Sequence, residues 1–190
     1  MRSPNFFSET GLHRMAERRT DESWLQQALR SEDAVAVPVW RTRNLIGISS
    51  NEPSVARIAI KEIQQELTDN VLTIFLGYRD GVPHFAIDLS DFDEPTNLSA
   101  LKGKGKFTDI REPGLQMSRE DGGLLAYVKA ISNWHHTHKF CGKCGNSCEP
   151  REGGHMRECV NPDCKAQHFP RTDPAVIMLV SSGDKIVLAR

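Results

Sequence analysis

Apolar and polar positions in the first part of the chain alternate in patterns that predict both helices and strands. Residues 12–29 are charged and carry apolar side chains at helical spacing towards their end, which predicts a helix. Residues 34–40 and 44–49 are two β-rich runs on either side of a basic turn, and they predict a hairpin. The proline in the first run predicts that this strand lies at a sheet edge. Residues 54–67 return to a helical pattern and predict a second helix.

Two further segments complete this region. Residues 71–89 contain two apolar runs on either side of Asp80 and Gly81, a pair that favours positive φ and predicts a second hairpin. Residues 120–136 carry an apolar stripe at helical spacing and lead directly into a cysteine-rich segment. Together these patterns predict a small α+β domain with a linking helix over residues 1–133.

The last apolar runs predict the beginning of another domain. Residues 175–180 and 185–190 are separated by the polar sequence SSGD, which is typical of a hairpin. Because an isolated two-stranded hairpin has no core of its own, we expect residues 173–190 to be the opening of a domain that is truncated here.

Composition limits the partners and the compartment. The chain has 24 Lys and Arg against 25 Asp and Glu, so its formal charge of -1 provides no overall field that would attract a polyanion. No apolar run approaches the roughly 18 residues of a membrane helix, and the start has no apolar core of signal-peptide length. We therefore predict a cytoplasmic protein with no membrane partner. Arg14, Arg18 and Arg19 keep a mitochondrial presequence open as an alternative, although the acidic residues among them are atypical of one.

All five cysteines fall within one short segment, which favours a metal site over a disulfide framework. Two residues separate the first pair and four residues separate the second, spacings that are typical of zinc-binding turns. Four soft thiolates favour tetrahedral Zn²⁺, and a site closed by four protein ligands is structural because no position remains for water. The sequence therefore predicts a zinc ribbon over residues 134–172, with the metal held by Cys141, Cys144, Cys159 and Cys164.

Other ligand sets remain open from the residues alone. Cys148 is the fifth cysteine, and it is either a free thiol or a competitor for the metal. His168 could replace Cys164. A histidine cluster just upstream is explained by the dipole at a helix C-terminus, with ligation as the alternative, and it comprises His135, His136 and His138.

The segments WHHTHKFCGKCG, GGHMREC and HFPRTDPAVIMLV resemble the zinc ribbon and first Nudix strand of the NADH pyrophosphatase family. Upstream stretches such as GLHRMAERRTDESWL and DGGLLAYVKAISNW are similar to that family's N-terminal domain. The resemblance implies an NAD(H) diphosphatase that releases nicotinamide mononucleotide and AMP, with NAD-capped RNA as the substrate of related members. It also implies Mg²⁺ or Mn²⁺ as cofactor of the complete enzyme, and a homodimer.

In this family the catalytic carboxylates belong to a Nudix box, which we expect to lie beyond Arg190, so the 190 residues alone are predicted to be inactive. One segment partly mimics the box, with Gly47 followed at the right distance by residues 61–66. It lacks a required carboxylate at Pro53 and another at Gln65, and losing one charge weakens a Mg²⁺ cage that depends on counted carboxylates. An amphipathic helix is the simpler interpretation.

The resemblance also implies two substrate contacts, Arg111 for a phosphate and Phe169 for stacking on a base. The structural alternatives are an ion pair of Arg111 with Asp109 or Glu112, and packing of Phe169 beneath the ribbon. A substrate-contacting glutamate of the family falls at Gly154 here.

A non-enzymatic zinc-ribbon module is the rival interpretation, with nucleic acid or another protein as its partner. Basic and acidic residues are mixed along residues 149–173, which argues against a basic surface for nucleic acid.

Overall fold

The structure is a computed structural model that describes residues 5–49, 51–66, 71–173 and 176–188. Its main element is a seven-stranded sheet whose central path runs β3-β2-β1-β6-β5, while β4 pairs with β1 and β7 pairs with β2. The strands are β1 (Val35–Trp40), β2 (Arg43–Ser49), β3 (Glu52–Val55), β4 (Ile58–Ala59), β5 (Thr73–Arg79), β6 (Val82–Asp88) and β7 (Lys106–Thr108).

Helices cover both faces of this sheet. One face packs against α3 (Arg119–Thr137), whose buried stripe includes Leu124, Val128 and Trp134. The opposite face packs against α1 (Glu22–Leu29) and the short α2 (Ile60–Ile63). Burying the apolar faces of helices on both sides of one sheet gives two cores, and the mixed α+β fold class is confirmed.

The first hairpin is confirmed, but the predicted edge position of its first strand is wrong. β1 lies inside the sheet, parallel to β6 on one side and antiparallel to β2 and β4 on the other. On the latter side Val39 pairs with β2 and Ala36 pairs with β4, so Pro38 falls where the ladder changes partner. A residue without an N–H is tolerated at such an interruption.

The predicted helix over residues 54–67 is wrong for its first half. Val55 belongs to β3 and Ile58 to β4, while helical structure begins at Ile60. Val55 lies in the core beneath α3, and Ile58 and Ile63 lie in the core on the opposite face of the sheet. The apolar side chains at helical intervals therefore pack on both faces of a sheet rather than on one face of a helix. Residues 67–70 lie outside the described residues.

The second hairpin and the linking helix are confirmed. β5 and β6 pair antiparallel around Asp80 and Gly81, whose φ values are 51° and 80°. Helix α3 begins after Ser118, which accepts a hydrogen bond from the Asp121 amide at 3.1 Å. Such a cap stabilises a helix start by roughly 1 kcal/mol.

The cysteine-rich segment folds as a small three-stranded sheet with the order β10-β9-β8. We call it the ribbon, and its strands are β8 (Cys148–Arg151), β9 (Met156–Cys159) and β10 (Gln167–His168). A final hairpin follows, with β11 (Ser181–Ser182) paired to β12 (Lys185–Ile186). The predicted placement of its first strand is wrong, because β11 is formed by Ser181 and Ser182 of the predicted turn and residues 176–180 are not in a strand. The described apolar residues around both strands are exposed, and residues 175, 189 and 190 lie outside the described residues.

None of the helices in the described ranges combines the length and apolar character that crossing a bilayer requires.

Candidate metal centre and the adjoining cleft

Four cysteine sulfurs meet at one end of the ribbon. The Sγ atoms of Cys141 and Cys164 are 3.8 Å apart, those of Cys144 and Cys159 are 3.4 Å apart, and all four lie within 4.8 Å of one another. A tetrahedral zinc ion with Zn–S bonds of about 2.3 Å places its sulfurs roughly 3.8 Å apart. The four thiols therefore fit Zn²⁺ without rearrangement of the chain.

Hydrogen bonds prepare the first pair of sulfurs to be thiolates. The Lys143 amide lies 3.4 Å from the sulfur of Cys141, and the Asn146 side-chain amide lies 3.5 Å from that of Cys144. Burial alone raises the pKa of Cys141, but the backbone N–H donors of Lys143 and Cys144 outweigh it and lower the pKa to about 5. Burial raises the pKa of Cys159 to about 12. Four thiolates this close together repel one another, so a cation among them is needed to keep all four deprotonated.

The remaining cysteine and the nearby histidine lie beside the cluster. Cys148 is buried opposite Cys159 in the β8–β9 pair, and burial raises the pKa of its thiol. The Nε2 atom of His168 is 3.3 Å from the sulfur of Cys141. Cys141, Cys148 and His168 also form a compact group, so the structure keeps a second, three-ligand set open.

The upstream histidines are engaged elsewhere. The Nε2 atom of His135 is 2.8 Å from the Gly154 carbonyl, and that of His136 is 2.8 Å from Asp88 Oδ2. The Nδ1 atom of His138 is 3.1 Å from the Trp134 carbonyl. Each of these rings therefore has a structural contact of its own.

Two glycines let the ribbon approach the large sheet closely. Gly153 and Gly154 have φ values of 59° and 86°, in the left-handed region that favours glycine. A Cβ atom at Gly153 would lie 3.0 Å from Phe75, and one at Gly154 would lie 3.0 Å from Ile74. A glutamate at position 154 would be strained by this positive φ and would require the Ile74 side chain to shift.

A buried polar contact joins the ribbon to α3. The Nδ1 atom of His135 is 2.9 Å from Nη1 of Arg157, whose Nη2 donates to the Cys148 carbonyl. Because arginine can only donate, Nδ1 accepts and the imidazole proton lies on Nε2, which donates to the Gly154 carbonyl. Burial lowers the pKa of His135 to about 4, so the ring is neutral near pH 7. We call this set of contacts the junction.

A cleft of about 510 Å³ lies where α3 meets the ribbon. Phe169 lines it with 54% of its surface exposed, so this ring is available for stacking rather than packed beneath the ribbon. The other aromatic and basic residues along the cleft are Arg14, Arg19, Tyr127, Trp134, His155 and Arg171.

Arg111 lies in a different place from Phe169. Its side chain is exposed and forms an ion pair with Asp109, with Nη2 and Oδ2 2.9 Å apart. Arg111 lines a second cleft with Lys129, and the two clefts share Ala130. The structure thus shows the ion-pair alternative for Arg111 and does not bring the two predicted contacts into one cleft.

The segment that mimics a Nudix box has a structural use. Glu66 accepts hydrogen bonds from the Ser99 amide at 2.8 Å and hydroxyl at 2.6 Å, and from the Ala100 amide at 3.0 Å. These bonds lower the pKa of its carboxyl, and they hold a loop rather than a metal. Within the described ranges, the compact groups of three or more metal-ligating side chains are all built on cysteines.

Sequence reasoning missed the basic side of the first cleft. Arg14 and Arg19 precede α1 and read as parts of a charged helix, yet Arg14 lies 3.4 Å from His155, 141 positions away. No local pattern signals that contact, because it depends on where the ribbon docks.

These features define a zinc-ribbon type of protein in which a four-cysteine ribbon is docked on an α+β domain. Comparison with known families gives two matches. A family described as NADH pyrophosphatase-like rudimentary NUDIX domain matches residues 33–134, and one described as NADH pyrophosphatase zinc ribbon domain matches residues 136–169. The chain belongs to the NADH pyrophosphatase family of Nudix-type proteins.

Curated relatives agree with this assignment. The chain is 27% identical to NAD-capped RNA hydrolase NUDT12 of Homo sapiens, over 98% of this chain and 48% of the relative. It is 36% identical to NAD-capped RNA hydrolase NudC of Stutzerimonas stutzeri, over 60% of this chain and 38% of the relative. A third similar protein is the mitochondrial NAD(P)H pyrophosphatase NUDT13 of Homo sapiens, at 32% identity over 56% of this chain and 32% of the relative. The chain spans about half or less of the length of these relatives.

We predict one equivalent of tightly bound zinc per chain. Changing Cys144→Ser removes one ligand of the four, so zinc content after gel filtration should fall below half an equivalent. Changing Cys148→Ala should leave zinc content unchanged, because its sulfur lies outside the four-sulfur set. Metal analysis of both purified variants checks this. Equal loss in the two variants would mean that the ligand set includes Cys148.

We also predict an acid-sensitive attachment of the ribbon. Burial lowers the pKa of His135 to about 4 and that of His155 to about 3, against an ordinary value of about 6.5. Between these values the unfolded chain binds more protons than the folded chain, so the free energy of unfolding falls as pH falls from about 6.5 towards 4. Changing His155→Gln should make this dependence shallower by up to about 1.4 kcal/mol per pH unit.

The measurement is denaturant unfolding across that pH range, with zinc content followed in the same samples. The exposed His13→Gln is the matched control and should keep the wild-type slope. If His155→Gln has the wild-type slope of unfolding free energy against pH, at equal zinc content, the prediction is contradicted.

Proposed function

We propose that this chain provides the N-terminal domain, ribbon and opening Nudix hairpin of an NAD(H) diphosphatase. The enzyme would hydrolyse the pyrophosphate of NADH or NAD to nicotinamide mononucleotide and AMP, and would also act on NAD-capped RNA. The main support is the family membership of residues 33–134 and 136–169, together with relatives that are named NAD-capped RNA hydrolases. The proposed division of the chain is 1–133, 134–172 and 173–190.

The zinc is proposed to be structural. Four thiolates complete a tetrahedral shell, so no coordination position remains for a water or a substrate oxygen. Cys141 and Cys159 are buried whereas Cys144 is exposed, so closure of the shell by four thiolates, rather than burial, would keep a phosphate anhydride from the metal. Zinc would therefore hold β8 and β9 in place and contribute no chemistry.

Hydrolysis of a pyrophosphate requires metal ions that neutralise its charge and lower the pKa of the attacking water. Hard cations such as Mg²⁺ or Mn²⁺ take oxygen ligands, whereas the compact ligand groups in the described part of the chain are cysteine-based. We infer that the catalytic carboxylates belong to a Nudix box outside residues 1–190, and that these residues alone are inactive.

Two residues are proposed to contact substrate. Phe169 presents an exposed ring beside the cleft and would stack on a base, while Arg111 would bind a phosphate after releasing Asp109. The complete enzyme is proposed to be a cytoplasmic homodimer, in which a second protomer could bring the two clefts to one substrate.

A nucleic-acid-binding ribbon without catalysis is less well supported. Two of its exposed basic side chains are neutralised locally, as Arg151 pairs with Glu149 and Arg171 pairs with Asp173. Paired charges of this kind give no continuous basic face for a phosphate backbone.

We predict that the 190-residue chain releases no AMP from NADH in the presence of Mn²⁺ above a no-enzyme background. A protein extended in frame through the downstream coding sequence should do so, because that segment would supply the carboxylates. The assay follows AMP by chromatography, with Glu62→Gln as a control in the box-like segment. Metal-dependent turnover by the 190 residues that is abolished in Glu62→Gln would overturn the proposal, as would an inactive extended protein.

A further inference from the structure

We propose that the cleft between α3 and the ribbon is a phosphate-binding site, with Arg14 and Arg19 as its ligands. The group it takes would be the phosphate of a nucleotide whose base lies against Phe169. The choice of a nucleotide rests on the proposed function, whereas the phosphate site itself rests on the contacts described below.

Two arginines lie side by side in the wall of this cleft. Nη2 of Arg19 donates to the Arg14 carbonyl at 3.0 Å, and the Arg14 guanidinium lies 3.7 Å from the centroid of the Tyr127 ring. The Nε atoms of Arg14 and Arg19 are both buried, and neither has a hydrogen-bond partner among the described residues. Each guanidinium therefore carries one buried N–H donor for which no described group is the acceptor.

No described carboxylate forms an ion pair with Arg14 or Arg19. Burial lowers the pKa of Arg19, while Glu152 and Glu17 attract its charge without direct contact. An arginine remains protonated in proteins even so. Two partly buried cations without a counter-ion are costly, and an anion in the cleft would relieve that cost.

The other polar residues of the cleft leave both charges in place. Nε2 of His155 lies 3.4 Å from Nη2 of Arg14 and also contacts the Tyr127 hydroxyl. Because arginine can only donate, Nε2 is the acceptor and the imidazole proton lies on Nδ1. Nδ1 faces the Glu152 carbonyl at 3.3 Å. Burial, with the two arginine charges, lowers the pKa of His155 to about 3, and burial raises the pKa of Tyr127. Both groups are therefore neutral near pH 7.

A third unused donor belongs to the same cleft. The indole Nε1 of Trp134 is buried and has no hydrogen-bond partner in the described part of the chain. Three unpaired N–H groups on residues of one cleft favour an acceptor-rich anion, and the guanidinium fork matches phosphate in particular. Phe169 supplies an exposed ring at the same place, and about 510 Å³ is enough for a mononucleotide.

The test measures binding of three probes to the zinc-loaded chain by calorimetry: inorganic phosphate, AMP and a short uncapped single-stranded RNA. Arg14→Gln and Arg19→Gln should each lower the affinity for all three probes by at least about tenfold, since each removes charged hydrogen bonds to phosphate. Arg18→Gln is the matched control, because Arg18 lies between them in sequence and is exposed, and it should bind as wild type does. Zinc content and melting temperature show that each variant is folded.

Phe169→Leu separates the sources of the phosphate. This change should weaken the binding of AMP and RNA and leave the binding of inorganic phosphate unchanged. Unchanged AMP binding would overturn the nucleotide part of the proposal. Binding of inorganic phosphate reports on the cleft directly, so an inactive extended enzyme would not affect this result.

A measurement on the wild-type chain guards against variants that fail to fold. Adding phosphate should shift the indole N–H resonance of Trp134 in the NMR spectrum and leave that of Trp40, which donates to the Phe92 carbonyl, unchanged. The proposal is overturned if this resonance does not move at saturating phosphate, or if both arginine variants bind phosphate as tightly as Arg18→Gln does.

Discussion

The arrangement of this protein depends on a buried cation, Arg157, which pairs with no carboxylate of the described residues. Its guanidinium donates to the Cys148 carbonyl and lies 2.9 Å from the neutral ring of His135 on α3. Burial lowers the pKa of Arg157, and such a group is stable only while its neutral acceptors stay in place. Since Cys148 pairs with Cys159 in the ribbon, a metal bound at the sulfurs would also fix the acceptor on which the junction relies.

The cleft is a consequence of this junction. His155 and Phe169 come from the ribbon, Tyr127 and Trp134 come from α3, and Arg14 comes from the segment before α1. None of these parts forms the cleft alone, so docking of the ribbon decides whether the arginines face a shared space. A structural metal can in this way govern a binding surface that it does not touch.

Sequence reasoning reached the features that depend on short separations. The cysteine spacings, the turn at Asp80 and Gly81, and the ion pair between Arg111 and Asp109 each involve neighbours along the chain. The failures at Pro38 and over residues 54–67 arose where one segment serves two partners or two faces of the sheet. The basic cleft was missed because Arg14 and His155 are 141 positions apart in the chain and meet only where the ribbon packs against the rest of the fold.

Hydrogen exchange before and after removal of zinc by a chelator tests whether ribbon and domain form one cooperative unit through the junction. If they do, amide exchange becomes faster in the ribbon and also in β5 and in the half of α3 that carries His135, while the β1–β2 hairpin stays protected. Faster exchange confined to residues 139–169, with α3 and β5 unchanged, would contradict it.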